Sequence, residues 1–212
     1  MKLVDRIREA IFAGDLAPNQ RLIEADLCAQ FGASRSHIRN ALADLVSEGL
    51  VERIPHRGAR VRAITLAEAI EFTEVRMVVE GLCAAKAAAR VTGDQAGQLR
   101  SIGARMKEHV AAGDLIEYST CNKELHSFIR LIGGQSAATD IIERIRGNLA
   151  RHQVRLAFQP GRAAVSLPQH LEIIEAICAH DEDRAEAAMR GHLRSVIEAL
   201  EQARPTGETG TP

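Results

Sequence analysis

Leu3, Ile7 and Ile11 recur every four residues and leave Asp5, Arg6, Arg8 and Glu9 on the opposite side, so the chain opens with a helix that buries one stripe. Gly14-Asp15 and Pro18-Asn19 interrupt the pattern, and Leu27, Cys28 and Phe31 then predict a second short helix that stops at Gly32. Ser34 is the natural N-cap of a third helix, with Ile38, Ala41, Leu42 and Leu45 facing inward and Ser36, Arg39, Asn40 and Ala43 facing out. Beyond Gly49 the period shortens to two. Val51-Glu52-Arg53-Ile54, the turn Pro55-His56-Arg57-Gly58 and Ala59-Arg60-Val61-Arg62 predict a two-stranded hairpin with a basic tip. The N-terminal segment, residues 1–63, is therefore expected to be a winged helix-turn-helix of three helices and a two-stranded wing.

After Ala63 no strand pattern returns. Thr65 with Glu68 forms a capping-box signature, and helices are predicted over 66–90, 94–112, 115–131, 136–158, 167–179 and 182–203, capped at Asp94, Ser136, Ser166 and Asp181, with room for a short turn at 161–165. The fold class expected is mainly α, the winged domain being followed by an antiparallel bundle of six or seven helices over residues 64–203. Alternating Pro, Gly and Thr in 204–212 predict a disordered tail.

Charge separates the two segments. The formal net charge is only −1, yet between positions 35 and 62 six arginines face three acidic residues. From residue 64 onward the sense reverses, with 17 Lys and Arg against 20 Asp and Glu. A basic helix start that enters a major groove can place Arg on guanine, while basic wing residues hold phosphates. Double-stranded DNA is thus the partner expected for Arg35, Ser36, Arg39, Asn40, Arg57, Gly58 and Arg60, with Lys2 and Arg62 as further phosphate contacts. One reading helix covers too little DNA for useful specificity, so a homodimer is expected. At 212 residues and 46% hydrophobic, with no apolar run of membrane length and no signal-peptide core, the chain is expected to be cytoplasmic with no membrane partner. Cys28, Cys83, Cys121 and Cys178 are scattered and read as reduced core thiols.

The bundle's chemistry lies in its histidines. Asn122 and His126 share one helical face with Tyr118, Leu125 and Ile129, and that face is the apolar one. His170 is in register with Ile174 and Ile177, and His192 with Ala185, Met189 and Val196, so both rings point inward. These two lie equally far, eleven residues, on either side of Asp181, where their helices meet. In an antiparallel hairpin they should oppose each other. A single inward histidine is ordinarily a hydrogen-bonded core residue. Three that converge, with an amide oxygen for a fourth position, make Asn122, His126, His170 and His192 a candidate site for a divalent transition metal, for which Zn, Ni, Mn and Fe are all suited.

Leu22-Ile23-Glu24-Ala25-Asp26-Leu27, Ser34-Arg35, Arg39 before Ala41-Leu42, Glu48-Gly49-Leu50-Val51 and Arg57-Gly58-Ala59 resemble the N-terminal domain of GntR-family transcription regulators. His37, Asn40 and Asn19 depart from the family's usual Pro, Glu and Gly; Asn at position 19 still tolerates a left-handed turn. The spacing of Asn122, His126, His170 and His192 resembles the FCD ligand-binding domain of the FadR-like branch, with Asn122 where Asp is commoner and Gln169 where Glu is usual. The resemblance implies that Arg76, at the family's R-x-x-x-E position with Glu80, binds a small carboxylate or sugar-acid effector. An intrahelical ion pair accounts equally for that spacing. Arg151 and Arg155 are candidates for a second effector contact. The reading that follows is a DNA-binding regulator, a repressor released by its effector, and not an enzyme. Its alternatives are a regulator whose metal-free bundle only dimerises, and a metallohydrolase.

Overall fold

The computed structural model describes residues 1–55 and 57–202, with the side chains at 146–148, 150–155 and 157 outside that description. His56 and the tail expected at 204–212 also lie outside it. The chain divides into two compact units, the first built on Met1–Thr65 and the second beginning at Leu66.

The first unit runs α1 (Leu3–Ala13), β1 (Arg21–Leu22), α2 (Glu24–Phe31), α3 (Arg35–Ser47), β2 (Val51–Ile54) and β3 (Gly58–Val61). Its core is the set that periodicity marks: Ile7, Leu27, Ile38, Leu42, Leu45, Leu50, Val51 and Val61 are buried together. Gly32, at φ 63°, ends α2 in the left-handed conformation that glycine adopts without steric penalty. Two residues on, Ser34 caps α3 by accepting a hydrogen bond from the His37 amide. Asn19 takes φ 65°, the left-handed turn expected of it.

The expected β2–β3 hairpin forms and gains a third strand. The sheet has three strands in the order β1-β3-β2, all antiparallel. Arg21–Leu22 is too short to carry an alternating pattern, but the free edge of β3 offers it hydrogen bonds. Arg21 pairs with Arg60, and the amides of Asn19 and Val61 donate to the carbonyls of Val61 and Gln20. A paired edge is a better-satisfied edge.

From Leu66 onward the described helices are α4 (Leu66–Arg90), α5 (Gly93–Ala112), α6 (Leu115–Gly133), α7 (Ser136–Ala157), α8 (Arg162–Cys178) and α9 (Glu182–Gln202), all in the second unit except residues 146–151 of α7. Thr92 rather than Asp94 caps α5, through a reciprocal box with Gln95. Helix α8 starts five residues before the expected position, because Gly161 at φ 78° supplies the turn and Pro168 sits inside the helix without ending it. Ser166, expected as its cap, is instead a buried interior residue whose hydroxyl donates to the Arg162 carbonyl at 3.0 Å.

Two features set the site. A Cβ at Gly133 would stand 2.8 Å from the Cys83 carbonyl, so glycine there lets α6 approach α4 closely and brings Glu80 opposite His126. At the α8–α9 turn His180 takes φ 57° and its Nδ1 lies 2.9 Å from the Ala88 carbonyl, while Asp181 accepts from the Arg184 amide and starts α9. The hairpin is thereby fastened to α4. All four cysteines are unpaired, and among the described residues no helix is long and apolar enough to cross a membrane.

Candidate functional site

Helix α3 presents Arg35, Ser36, Arg39 and Asn40 to solvent, with Arg57 and Gly58 exposed at the wing tip. Arg60 is half-buried. It lies opposite Glu52 across the β2–β3 register, and its Nε donates to Glu52 Oε1 at 2.6 Å. Its charge is partly engaged in the sheet, unlike that of Arg35, Arg39 and Arg57. Arg8 braces the unit from behind, donating to both oxygens of Glu48 at 2.7 and 2.8 Å.

In the second unit, α6, α8 and α9 bring His126, His170 and His192 together, all buried, with one ring nitrogen from each within 4.8 Å of the others. The His170 and His192 ring centroids are 4.3 Å apart, as equal distance from the turn requires. His126 stands 5.6 Å from His170 and 5.5 Å from His192.

Each imidazole has its Nδ1 held by a different partner. His126 Nδ1 donates to Glu80 Oε2 at 2.6 Å, and His192 Nδ1 donates to Gln169 Oε1 at 3.0 Å. The third assignment follows from a chain of hydrogen bonds. Since Ser166 donates to the Arg162 carbonyl, it accepts from Tyr118 OH at 2.7 Å, and the Tyr118 oxygen accepts from His170 Nδ1 at 3.1 Å. In a neutral ring whose proton sits on Nδ1, the lone pair lies on Nε2. Burial pushes His170 and His192 well below the usual imidazole value, and the neighbouring rings and the Arg162 charge push the same way. His170 and His192 are therefore neutral bases at ordinary pH.

Beneath them lies a charge of the opposite kind. Burial alone would raise the Glu80 carboxyl, but Arg76 and His126 outweigh it and hold Glu80 ionised. Arg76 donates to Glu80 Oε1 from Nε at 2.8 Å, with Nη2 2.7 Å from the same oxygen. Arg76, for which the spacing left an effector contact and an intrahelical ion pair open, makes the ion pair: its buried guanidinium lies on Glu80, the residue that orients His126. The side chains of Arg151 and Arg155 lie outside the described residues, as does that of His152.

The donor set fits a divalent cation. Among the described residues, buried His170 Nε2 has no hydrogen-bond partner, and neither has Asn122 Oδ1, one turn before His126 on α6. Both are Lewis bases, and a desolvated base without a partner is unfavourable until an electrophile or a donor meets it. Inward pattern alone reveals the three rings. It does not reveal Glu80, Tyr118 and Gln169 as their supports, since Gln169 adjoins His170 in sequence yet bonds His192 in space.

Residues 1–61 match the model of bacterial regulatory proteins, gntR family, and residues 71–195 match that of the FCD domain. The HTH-type transcriptional repressor RspR of Escherichia coli (strain K12) is 27% identical over 189 residues, 89% of this chain and 83% of the relative. The probable D-xylose utilization operon transcriptional repressor of Paenarthrobacter nicotinovorans is 26% identical over 201 residues, 92% and 85% of the two chains. Among solved structures, E. coli McbR/YncC has the same fold, with a TM-score of 0.77 at 20% identity over 94% of this chain and 95% of that one. A GntR transcriptional regulator from Rhodococcus sp. RHA1 gives 0.71 at 25% identity over 95% and 97%.

Proposed function

The chain belongs to the gntR family of bacterial transcriptional regulators and carries an FCD domain, and from that premise we propose that it is a dimeric repressor whose grip on operator DNA is controlled by a small carboxylate bound at a metal centre in its second unit. The family and the curated relatives are transcriptional regulators rather than enzymes, which disposes of the hydrolase alternative. Two relatives are named repressors, and that name suggests the direction of control here.

One observation carries the sensor half of this reading. Three buried imidazoles from three helices bring one ring nitrogen each within 4.8 Å of the others, and each ring is held at Nδ1 by its own partner. Orienting a ligand imidazole by a hydrogen bond at its far nitrogen is the arrangement metal sites use to set tautomer and basicity. His126, His170, His192 and the Asn122 oxygen would hold the cation. When bound, it would supply a Lewis acid for carboxylate and hydroxyl oxygens. Glu80, accepting from His126 Nδ1, would make that imidazole a more basic ligand.

Dimerisation is supported by α4, where Val75, Val78 and Leu82 are 48%, 51% and 43% exposed at helical spacing on one face. An exposed apolar stripe of this kind is suited to a second copy. By linkage, the effector weakens operator binding only as far as it prefers the DNA-free dimer. The test is a fluorescence titration of the metal-loaded protein against a duplex enriched from a random pool. A panel of hydroxy acids and sugar acids should contain at least one that lowers affinity about 10-fold or more, a coupling of roughly 1.4 kcal/mol. Unchanged affinity across the panel, or no metal on elemental analysis and reconstitution, would defeat the sensor reading.

The reading helix makes its own prediction. Arg39→Ala should weaken binding to the enriched duplex by about 1–3 kcal/mol and relax preference at one base step, with Arg35→Ala behaving alike at another. An equal loss on unrelated duplex would reduce both arginines to phosphate contacts.

A further inference from the structure

The first residue of α8 holds a buried cationic donor with no acceptor among the described residues. Arg162 Nη1 donates to Ser195 on α9, to the hydroxyl at 2.8 Å and to the carbonyl at 3.3 Å. Its Nη2 is shut off from solvent and has no hydrogen-bond partner. A desolvated guanidinium N–H without an acceptor is among the more costly groups a fold can keep. Burial lowers the guanidinium's proton affinity, against weaker support from Tyr118 and Glu198. Glu198 itself is exposed on α9, and no hydrogen bond joins it to Arg162 among the described residues.

The placement of this donor ties it to the histidines. Arg162, Ser166 and His170 follow one another at four-residue spacing along α8, so they share a face. Ser195 stands three residues beyond His192 on α9, about 4.5 Å along that helix, whereas Arg162 is eight residues, about 12 Å, from His170. Since Ser195 holds the guanidinium, the side chain reaches back towards the imidazoles. On that same face Ser166 accepts from Tyr118, whose oxygen accepts from His170.

We propose that Arg162 is a second anion subsite of the effector pocket, so that the natural effector is a short dicarboxylic acid with one end on the histidine cluster and the other on Arg162 Nη2. The inference rests on the effector reading above and deepens it. It also reassigns the carboxylate-binding arginine. Arg76 is neutralised by Glu80 within its own helix, while Arg162 keeps a buried donor free and is held in place by Ser195. A planar fork with one edge anchored and one nitrogen open is preorganised for a carboxylate oxygen.

The experiment compares L-malate with L-lactate by calorimetry on the zinc-loaded full chain. Both have the same hydroxy-acid head, and only malate has a second carboxylate. Malate should bind at least about 10-fold tighter, the range of a charge-assisted hydrogen bond in a dry site. Arg162→Gln should remove that preference while leaving lactate affinity and zinc content unchanged. Arg162→Lys should recover part of it, since charge returns without the fork. Ser195→Ala, which unties Nη1, should fall between the two and covers the case in which the Arg162 variants do not fold. Equal binding of the two acids to the unaltered chain, including no detectable binding of either, overturns the proposal, as does an Arg162→Gln variant that weakens both alike. Zinc content separates this outcome from failure of the metal reading. Zinc uptake without discrimination between the acids sinks the Arg162 subsite alone, whereas an Arg162-dependent malate preference in a chain that takes up no zinc sinks the metal centre and leaves the subsite standing.

Discussion

Replacing His170 with alanine is expected to weaken zinc binding by more than about 100-fold, because even partners that merely orient a ligand imidazole are worth 10- to 100-fold. His170 has the strongest claim of the three rings to face a ligand. Its Nδ1 is occupied through the Tyr118–Ser166 chain, its Nε2 is buried without a partner, and burial keeps it neutral. Competition with a chromophoric chelator measures the loss. In the same variant the effector response should vanish, while operator affinity in the absence of effector stays within a factor of about two to three, near the noise of such measurements. The outcome that counts against the centre is parallel loss: if operator binding and the helical circular dichroism fall together with zinc, His170 is a core residue and the site is a hydrogen-bonded polar cluster.

The sequence is most legible where a residue's role follows from its own helix. Ile38, Leu42 and Leu45 set the inner face of α3, and that alone turns Arg35, Arg39 and Asn40 outward. For His170 and His192 one further step is enough, since a tight turn at Asp181 sets their heights and the rings stand 4.3 Å apart. Periodicity gives direction but not partner. It cannot tell that Gln169 reaches across to His192, that Arg60 pairs with Glu52, or that β3 will recruit Arg21–Leu22 as a third strand, because each depends on what an adjacent element leaves unsatisfied. The segment 161–165 misleads for a related reason. Read locally it is a short turn, yet in place Gly161 caps α8 and Arg162 begins the helix. Arg162 is hidden by that same misreading, since a residue assigned to a loose turn is not expected to be a buried donor.

Arg76 and Glu80 give the sharpest energetic prediction, because the pair is buried and shares its carboxylate with the site. Both Glu80 oxygens are committed, Oε1 to Arg76 and Oε2 to His126, and the side chain is 1% exposed. Removing one partner of such a pair strands the other charge away from water, so Glu80→Ala should lower the unfolding free energy of the metal-free protein by about 3–5 kcal/mol in urea titrations, with Arg76→Ala comparable. The double variant should cost less than the two added together, by roughly 0.5–3 kcal/mol, since the second substitution removes a charge already left alone. Glu80→Gln keeps the volume and an acceptor for His126 Nδ1 but still strands the Arg76 charge, so it should cost less than Glu80→Ala without restoring the original stability, and it should weaken zinc binding as well. A contrary result has a clear meaning: if Arg76→Ala leaves stability untouched and abolishes only the effector response, Arg76 is the carboxylate's partner after all, and Glu80 orients His126 without needing its neighbour.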